Sequence, residues 1–283
     1  MKLVRVGEAG SERAAILGLQ NEILRIPDSF GDIDGTFWRQ GHREELNDLL
    51  QANALNDHID EQVRFGPPIS KPEKVICIGL NYRDHADETG STLPEEPIVF
   101  MKAPNCVIGP NDQILVPRGS TKTDWEIELG VVIGKQSRYL DSPDEAREVI
   151  AGYCLSHDVS EREFQLERGG QWDKGKCCET FNPLGPWLVT ADEIDDPQNL
   201  GLRLSVNGVA RQDGSTSDML FDVNYIVWYL SQFMVLEPGD LINTGTPAGV
   251  SLGHDDVPFL GEGDVVELFI DGLGSQRSVI GQA

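Results

Sequence analysis

The sequence predicts a β-rich α+β protein, in which a small α+β domain precedes a large domain with a strand-rich core. Beyond residue 68 the chain alternates short apolar segments with turn signals, and few helical patterns intervene. That alternation favours a β-rich core with peripheral helices. The length of 283 residues suits one large domain with a small companion and is ample for an enclosed active site.

The first 68 residues are predicted to form the small domain. Its expected elements are short strands around residues 3–6 and 15–19 and a helix around residues 42–52. The helix is predicted because Leu46, Leu49 and Leu50 recur on one face. The stretch Phe65-Gly66-Pro67-Pro68 follows, and its paired prolines can neither continue a helix nor donate to a sheet. We therefore place the domain boundary between residues 68 and 69.

Turn motifs predict strand pairs in the large domain, residues 69–283. Asn207-Gly208 lies between two alternating apolar segments and is typical of a hairpin turn, since both residues tolerate positive φ. Pro238-Gly239-Asp240 and Glu262-Gly263-Asp264 each lead into an apolar run that is typical of a strand.

Helices are predicted at three places in the large domain. Ser142 and Ser160 are each followed three residues later by a glutamate, the pattern of a capping box that opens a helix. A third helix is expected over residues 222–233, where apolar and aromatic side chains recur at helical spacing.

The charge and cysteine content argue against several classes of partner. The 47 acidic and 23 basic residues give a formal charge of -24, which would repel nucleic acid. The sequence contains neither the apolar core of a signal peptide nor a run of about 18 apolar residues, so we expect a cytoplasmic protein without a membrane partner. The five cysteines form no C-x-x-C pair, which fits reduced thiols.

Two carboxylates on a predicted strand are candidate metal ligands. In the segment 124–133, the two-residue period of a strand puts Glu126 and Glu128 on one face and Ile127 and Leu129 on the other. Like charges this close are costly unless water, a proton or a cation lies between them. Carboxylate oxygens favour Mg²⁺, Mn²⁺ or Ca²⁺ over zinc. The pattern alone also fits an ordinary exposed polar face.

Asp158 is a third candidate ligand. It ends a mostly apolar predicted strand, residues 153–157, just before the helix predicted at Ser160, and ends of strands often present ligands. The alternative is that Asp158 is only a helix-start residue, favoured there by the helix dipole. The adjacent His157 is interpreted as structural, because strand alternation points it away from Asp158.

His85 and Glu88 are a candidate acid–base pair. A buried-type strand over residues 74–80 runs into a segment that can start a helix, and the two residues are three apart on one helical face. A glutamate so placed can orient the imidazole and raise its basicity, as in a base that activates water. A surface ion pair has the same spacing.

Together these motifs resemble those of the fumarylacetoacetate hydrolase family. The motifs are GLNYxxH at 79–85, ExE at 126–128, DxxxRxxQ at 158–165, Lys176, and TGTPxGV at 244–250. Their order and spacing match over about residues 70–283, and the N-terminal unit is similar, less distinctively, to the leading domain of longer members. The resemblance implies a mixed β-roll-like core, a homodimer, and Mg²⁺ (or Mn²⁺, Ca²⁺) bound by Glu126, Glu128 and Asp158.

The resemblance also implies roles for individual residues. His85 with Glu88 would form the water-activating dyad, and Lys176 would stabilise developing negative charge. Lys176 is preferred to Lys174 because its spacing from Trp172 is similar to that of family members. The implied substrate contacts are Tyr82, Arg162, Gln165 and Thr246. The polar stretch 89–96, which contains Gly90 and Pro94, is expected to form a lid.

Members of this family cleave, decarboxylate or isomerise oxoacids. We hypothesise that a small 2,4-dioxoacid is hydrolysed at a carbon–carbon bond to release pyruvate, with His85 and Glu88 generating the attacking hydroxide. Residues 169–176 and 181–187 are similar to those of bacterial members acting on 2,4-diketo-3-deoxy sugar acids of the L-rhamnonate or L-fuconate series, which predicts a role in carbohydrate catabolism. The alternatives are an oxaloacetate decarboxylase, an enol–keto isomerase, and a non-catalytic sugar-acid binding protein.

Overall fold

A computed structural model describes residues 1–60 and 62–283 of the chain. In chain order the strands are β1 (Lys2–Val6), β2 (Arg13–Leu17), β3 (Ile23–Arg25), β4 (His58–Ile59), β5 (Val75–Gly79), β6 (Ile98–Lys102), β7 (Val107–Ile108), β8 (Ile114–Val116), β9 (Thr123–Asp124), β10 (Ile127–Ile133), β11 (Ile150–His157), β12 (Ser160–Glu161), β13 (Asn182–Pro183), β14 (Leu188–Thr190), β15 (Gly201–Val206), β16 (Val209–Ser215), β17 (Leu241–Asn243), β18 (Val265–Ile270) and β19 (Gly274–Gln282).

The α-helices are short and lie between these strands. They are α1 (Gly35–Arg39), α2 (His42–Gln51), α3 (Arg83–Glu88), α4 (Asp173–Lys176) and α5 (Val223–Ser231), with a π-helical turn at Glu163–Glu167. Short 3-10 turns lie at Asp28–Phe30, Pro104–Cys106, Pro143–Glu148, Ala191–Glu193, Thr216–Asp218 and Ser251–Gly253. Within the part of the chain that is described, none of the helices is both long and apolar enough to cross a membrane.

A mixed sheet of ten strands forms the centre of the described structure, in the order β4-β3-β2-β1-β14-β11-β10-β17-β5-β6. Its central strands, β10 and β11, pair in antiparallel register with Ile127 opposite His157. Every residue of both strands is buried, as expected where a sheet is covered on both faces. Polar side chains at the ends of these strands are therefore held in the interior.

A second sheet, of five strands in the order β16-β15-β18-β19-β8, packs into the same hydrophobic core. The hairpin predicted at Asn207-Gly208 is confirmed: the two residues join β15 to β16 with φ angles of 52° and 75°. The strands predicted after residues 240 and 264 are confirmed as β17 and β18.

A closed ring of buried hydrogen bonds joins side chains of three strands, β11, β13 and β17. Ser156 Oγ donates to Asn243 Oδ1 at 2.8 Å, Asn243 Nδ2 donates to Asn182 Oδ1 at 2.9 Å, and Asn182 Nδ2 donates back to Ser156 Oγ at 3.0 Å. All three side chains are buried, and Asn243 Nδ2 has one further contact, 3.6 Å to Cys77 Sγ.

Of the three helix predictions in the large domain, only the one over residues 222–233 is confirmed. It is α5, and Asp222 caps it by accepting from Tyr225 N at 2.8 Å. The two predicted capping boxes are wrong. Ser142 precedes only a 3-10 turn and makes no side-chain cap, and Glu145 accepts from the N–H of Asp141 at 3.1 Å.

Ser160 does not open a helix because its backbone pairs with Asp124 in the short β9–β12 ladder. Its hydroxyl donates to the carbonyl of Asp158 at 3.0 Å, and the N–H of Phe164 donates to Glu161 Oε2 at 2.7 Å. The helical segment that follows is the π-helical turn, which Arg162 precedes without a side-chain cap.

The N-terminal strands continue the main sheet. The predicted elements of this unit are present as β1, β2 and α2. β1 pairs with β14, where Leu3 lies opposite Leu188, and Leu3 and Phe37 share one core cluster with Leu241. The division into residues 1–68 and 69–283 stays a prediction.

Candidate active site

Three carboxylates converge where β10 begins and β11 ends. Glu126 immediately precedes β10, Glu128 lies within it, and Asp158 follows β11. One oxygen from each lies within 4.8 Å of the others, and all three residues are buried. The alternation predicted from the sequence is present, since Ile127 and Leu129 belong to the hydrophobic core. Residues that are 32 positions apart in the chain thus meet at one point.

Buried basic side chains neutralise two of the three carboxylates. Lys176 Nζ donates to Glu126 Oε2 at 2.8 Å and to Asp158 Oδ2 at 2.7 Å. Arg162 Nη1 lies 2.8 Å from Glu126 Oε1. Burial alone would raise the pKa of Glu126, but the charges of Lys176 and Arg162 hold it well below its usual range. Lys102, which the sequence analysis did not single out, is fully buried and donates from Nζ to Asp158 Oδ1.

Glu128 is the exception, because it forms no ion pair within residues 1–60 and 62–283. Its carboxylate accepts one hydrogen bond, from Gly245 N at 2.8 Å. Burial, with the added charges of Asp158 and Glu126, raises the pKa of Glu128 well above its usual value. A divalent cation would supply the missing positive charge, and three carboxylates are the donor set that hard cations such as Mg²⁺, Mn²⁺ and Ca²⁺ prefer. The residues therefore fit a divalent cation.

The structure places His85 and Glu88 in direct contact. Both lie on α3, and His85 Nδ1 is 2.8 Å from Glu88 Oε1. Burial would raise the pKa of Glu88, but its hydrogen bonds from His85 and from Gly249 N, the latter at 2.8 Å, lower it overall. Because the ionised carboxylate accepts, Nδ1 carries the hydrogen of the neutral ring. Nε2 is then the atom that can accept a proton.

A cavity of about 230 Å³ is lined by His85 and by two of the three carboxylates, Glu126 and Glu128, but not by Glu88 or Asp158. Its lining includes seven of the predicted residues: His85, Glu126, Glu128, Arg162, Gln165, Lys176 and Thr246. Phe100 and Trp172 form an aromatic wall, with ring centroids 5.4 Å apart. The volume is below the roughly 300–1,000 Å³ of sites for drug-sized ligands, so the substrate must be small. A larger cavity, of about 650 Å³ beside Trp38 and Arg147, contains none of the predicted residues.

Arg162 is held so that part of its guanidinium can serve a ligand. Nε donates to Asp124 Oδ2 at 2.8 Å, and Nη1 donates to Gln165 Oε1 at 3.0 Å. Nη2 is buried and finds no partner among the described residues. Thr246 also lines the cavity, where its hydroxyl donates to the carbonyl of Ile127 at 2.8 Å.

Other candidates lie outside the cavity wall. Tyr82 is fully buried just before α3 and does not line the cavity, and as a substrate contact it stays a prediction. His157 is fully buried, and burial together with the charge of Lys102 lowers its pKa to about 3, so the ring is neutral. Lys174 is exposed and donates to the carbonyl of Arg168.

The stretch expected to form a lid borders the cavity. Thr89 and Ser91 contribute to the lining, with their hydroxyls 3.0 Å apart. At the far end of the stretch, Glu96 accepts a hydrogen bond from Tyr229 OH at 2.6 Å. The stretch is thus anchored on α5 as well as on α3, and its function as a lid stays a prediction.

Comparison with known proteins identifies the family. The profile described as fumarylacetoacetate (FAA) hydrolase C-terminal matches residues 74–280. A Burkholderia ambifaria protein, described only in general terms as a hydrolase, is 47% identical over 277 residues, which cover 98% of this chain and 97% of that protein.

Solved structures of other proteins match the fold of this protein over its whole length. Fumarylacetoacetate hydrolase from psychrophilic Exiguobacterium antarcticum is 32% identical with a TM-score of 0.85, covering 100% of both chains. Maleylpyruvate hydrolase from Sphingobium sp. SYK-6, in complex with manganese(II) and pyruvate, is 28% identical with a TM-score of 0.81, again covering 100% of both. A Mycobacterium marinum structure described as 2-hydroxyhepta-2,4-diene-1,7-dioate isomerase is 32% identical with a TM-score of 0.77, covering 100% of this chain and 98% of that one. The chain therefore belongs to the fumarylacetoacetate hydrolase family, whose fold it shares and whose members include hydrolases and isomerases of oxoacids.

Proposed function

We propose that this protein is a metal-dependent hydrolase that cleaves a carbon–carbon bond in a 2,4-dioxoacid and releases pyruvate. The observation that carries the proposal is that His85, whose ring contacts Glu88, lines the same small cavity as Glu126 and Glu128. Hydrolysis needs a base for water beside a site that binds the oxoacid, and this cavity offers both.

Glu126, Glu128 and Asp158 are the residues that would hold the cation, which we propose to be Mg²⁺, Mn²⁺ or Ca²⁺. When bound, the cation would act as a Lewis acid that polarises oxygen atoms of the substrate and offsets negative charge developing on them. The manganese and pyruvate bound by the related maleylpyruvate hydrolase support both the ion class and the product.

The protein's own residues then account for the proton transfers. His85 Nε2 takes a proton from water as its oxygen attacks the 4-carbonyl, and Glu88 stabilises the resulting imidazolium through its 2.8 Å hydrogen bond. Breaking the bond between C3 and C4 leaves a carboxylic acid and the enolate of pyruvate. The imidazolium returns its proton to C3, which completes the pyruvate and restores the base.

Two positive groups lie where the negative charge develops. The ammonium of Lys176 and the free Nη2 of Arg162 are buried at the same cavity. Fixed donors of this kind lower a barrier most when they face the developing charge, because they need no reorganisation during the reaction. The aromatic wall of Phe100 and Trp172 limits access of bulk water.

We further propose that the acyl part of the substrate is a short hydroxylated chain, as in 2,4-diketo-3-deoxy acids of the L-rhamnonate or L-fuconate series, so that the enzyme acts in carbohydrate catabolism. The hydroxyls of Thr89 and Ser91 on the cavity wall support a polar tail, and the cavity volume supports a short one. The cytoplasmic location and the homodimer belong to the same proposal, and analytical ultracentrifugation tests the dimer.

The second candidate is an isomerase, which the similarity to the Mycobacterium marinum structure supports. Purified protein should be incubated with a panel of acylpyruvates and deoxy-dioxo sugar acids, with Mg²⁺ or with EDTA, and scored for pyruvate. The hydrolase releases pyruvate only with the cation, whereas an isomerase changes the ultraviolet spectrum of its substrate without releasing pyruvate. A binding protein shows saturable affinity and no change of substrate.

Substitutions give the matched controls for this assay. Glu126→Ala and His85→Ala should abolish pyruvate release, and Lys176→Ala should lower it strongly. Lys174→Ala removes an exposed lysine two positions away and should leave it unchanged. Full pyruvate release by either of the first two variants refutes the assignment.

A further inference from the structure

His254 reaches the acid–base pair from the side of the solvent. Its Nε2 lies 3.1 Å from Glu88 Oε2, whereas His85 Nδ1 lies 2.8 Å from the other oxygen, Oε1. The side chain of His254 is 44% exposed, compared with 8% for His85 and 9% for Glu88. Glu88 therefore lies between a buried histidine in the cavity and an exposed one at the surface.

The hydrogen bonds of Glu88 show what His254 contributes. Oε1 is taken by His85, and Oε2 accepts from both Gly249 N at 2.8 Å and His254 Nε2. An ionised carboxylate only accepts, so Nε2 of His254 carries a hydrogen. Without His254, one backbone N–H alone would oppose rotation of the carboxylate away from His85.

The loop that presents His254 is fixed at both ends. The N–H of Ser251 donates to the buried carboxylate of Asp124 at 2.9 Å, and Ser251 Oγ donates to the carbonyl of Val257 at 2.7 Å. Gly253 lies directly against Glu88, where an added Cβ would come within 3.1 Å of Glu88 Cγ. The loop can approach α3 this closely because residue 253 is a glycine.

We infer that His254 is a positioning residue for water activation, an inference that rests on the proposed hydrolase function. By holding Oε2 it keeps Oε1 directed at His85 Nδ1. This contact fixes the tautomer in which the hydrogen is on Nδ1 and Nε2 is free to take a proton from water. His254 itself does not line the cavity.

The first test measures the tautomer of His85 directly and needs no turnover. Ring ¹⁵N chemical shifts of His85 should be recorded for the wild type, His254→Ala and His254→Gln, all free of metal. We expect an Nδ1–H ring in the wild type, a mixture of tautomers in His254→Ala, and recovery in His254→Gln, whose amide can still donate to Glu88. The exposed His58 on β4 supplies the control variant, His58→Ala. An unchanged His85 spectrum in His254→Ala overturns the inference.

The second test uses pyruvate release. His254→Ala should lower kcat by about tenfold with little change in KM, a part of the roughly 10²–10⁴-fold that a general base contributes. His254→Gln should recover most of that loss, and His58→Ala should show none. If His254→Gln is as slow as His254→Ala, hydrogen bonding to Glu88 is not the role of this residue and the inference falls. If the wild type itself releases no pyruvate, the proposed function fails, and the NMR result still decides whether His254 positions the pair.

Discussion

Glu128→Gln should make the metal-free protein more stable and at the same time remove its response to divalent cations. Glu128 is buried, lies within 4.8 Å of two other carboxylates, and has no ion pair in the part of the chain described. Glutamine has almost the same shape, and its side-chain oxygen can still accept from Gly245 N, which donates to Glu128 at 2.8 Å.

The size of the effect follows from the geometry. At 4.8 Å and an effective dielectric constant of about 20, two unit charges repel each other by about 3 kcal/mol. Part of that repulsion is already screened by Lys176 and Arg162, so we expect a gain of about 2 kcal/mol in the free energy of unfolding. For a chain of this size that gain corresponds to a rise of about 3 °C in Tm.

The effect should also depend on pH. The folded-state pKa of Glu128 is raised above its unfolded value of about 4.3, so the folded protein binds this proton more tightly than the unfolded one. The penalty is therefore absent below the unfolded pKa and grows as pH rises above it. The difference in Tm between Glu128→Gln and the wild type should be larger at pH 8 than at pH 5.

Thermal unfolding by circular dichroism in EDTA, at both pH values, measures this difference. The exposed Glu262 provides the control, because Glu262→Gln removes the same charge from a surface turn. A cation at one hundred times its Kd should add about 2.7 kcal/mol to the wild type and much less to Glu128→Gln. If Glu128→Gln is no more stable than the wild type in EDTA at pH 8, the carboxylate is not an uncompensated charge and the reasoning is refuted.

Four further predictions follow from the contacts. His85→Ala should lower pyruvate release by about 10²–10⁴-fold while Mn²⁺ binding, measured by electron paramagnetic resonance, stays unchanged; a parallel loss of Mn²⁺ would contradict the separation of base from ligands. Lys102→Met should cost about 3 kcal/mol in urea unfolding because it breaks a buried ion pair with Asp158, whereas Lys122→Met, at an exposed pair with Glu167, should change the free energy of unfolding far less. Asn182→Ala should cost about 2 kcal/mol by the same measurement, since it removes one hydrogen bond from each of two buried polar partners, and a neutral result would show that the hydrogen-bond ring does not contribute to stability. Deletion of residues 1–68 should expose the shared core cluster and give an aggregating product in size-exclusion chromatography; a stable monodisperse product would establish residues 69–283 as an independent domain.

Much of the site could be predicted because its chemistry is encoded locally. The two-residue period of a strand placed Glu126 and Glu128 on one face, and the three-residue spacing of His85 and Glu88 placed them on one helical face. Both relations depend only on residues a few positions apart. The resemblance to the family then predicted that Asp158 lies in the same site as these local pairs. Strand periodicity alone could not predict this, because it relates only residues that are close in the sequence.

The residues that sequence reasoning missed are those whose role depends on the arrangement of the sheets. Lys102 ends a short strand, where a lone lysine usually points to solvent, and only the folded sheet brings it to Asp158, 56 positions away. His254 lies in a polar loop without a motif of its own, 166 positions from Glu88. The capping-box prediction at Ser160 was wrong for a similar reason. The backbone of Ser160 pairs with that of Asp124, a residue distant in sequence, in the β9–β12 ladder.

The bridge from Lys176 to Glu126 and Asp158 has a consequence for how the protein is assembled in a cell. A newly made chain carries its own counterion, so its interior can close before any metal is encountered. Under the proposed function, a cation would join an ammonium group that already touches two of the proposed ligands at 2.8 and 2.7 Å. Since Lys176 would stay beside the proposed ligands, its ammonium would remain in place to face the negative charge that develops on the substrate.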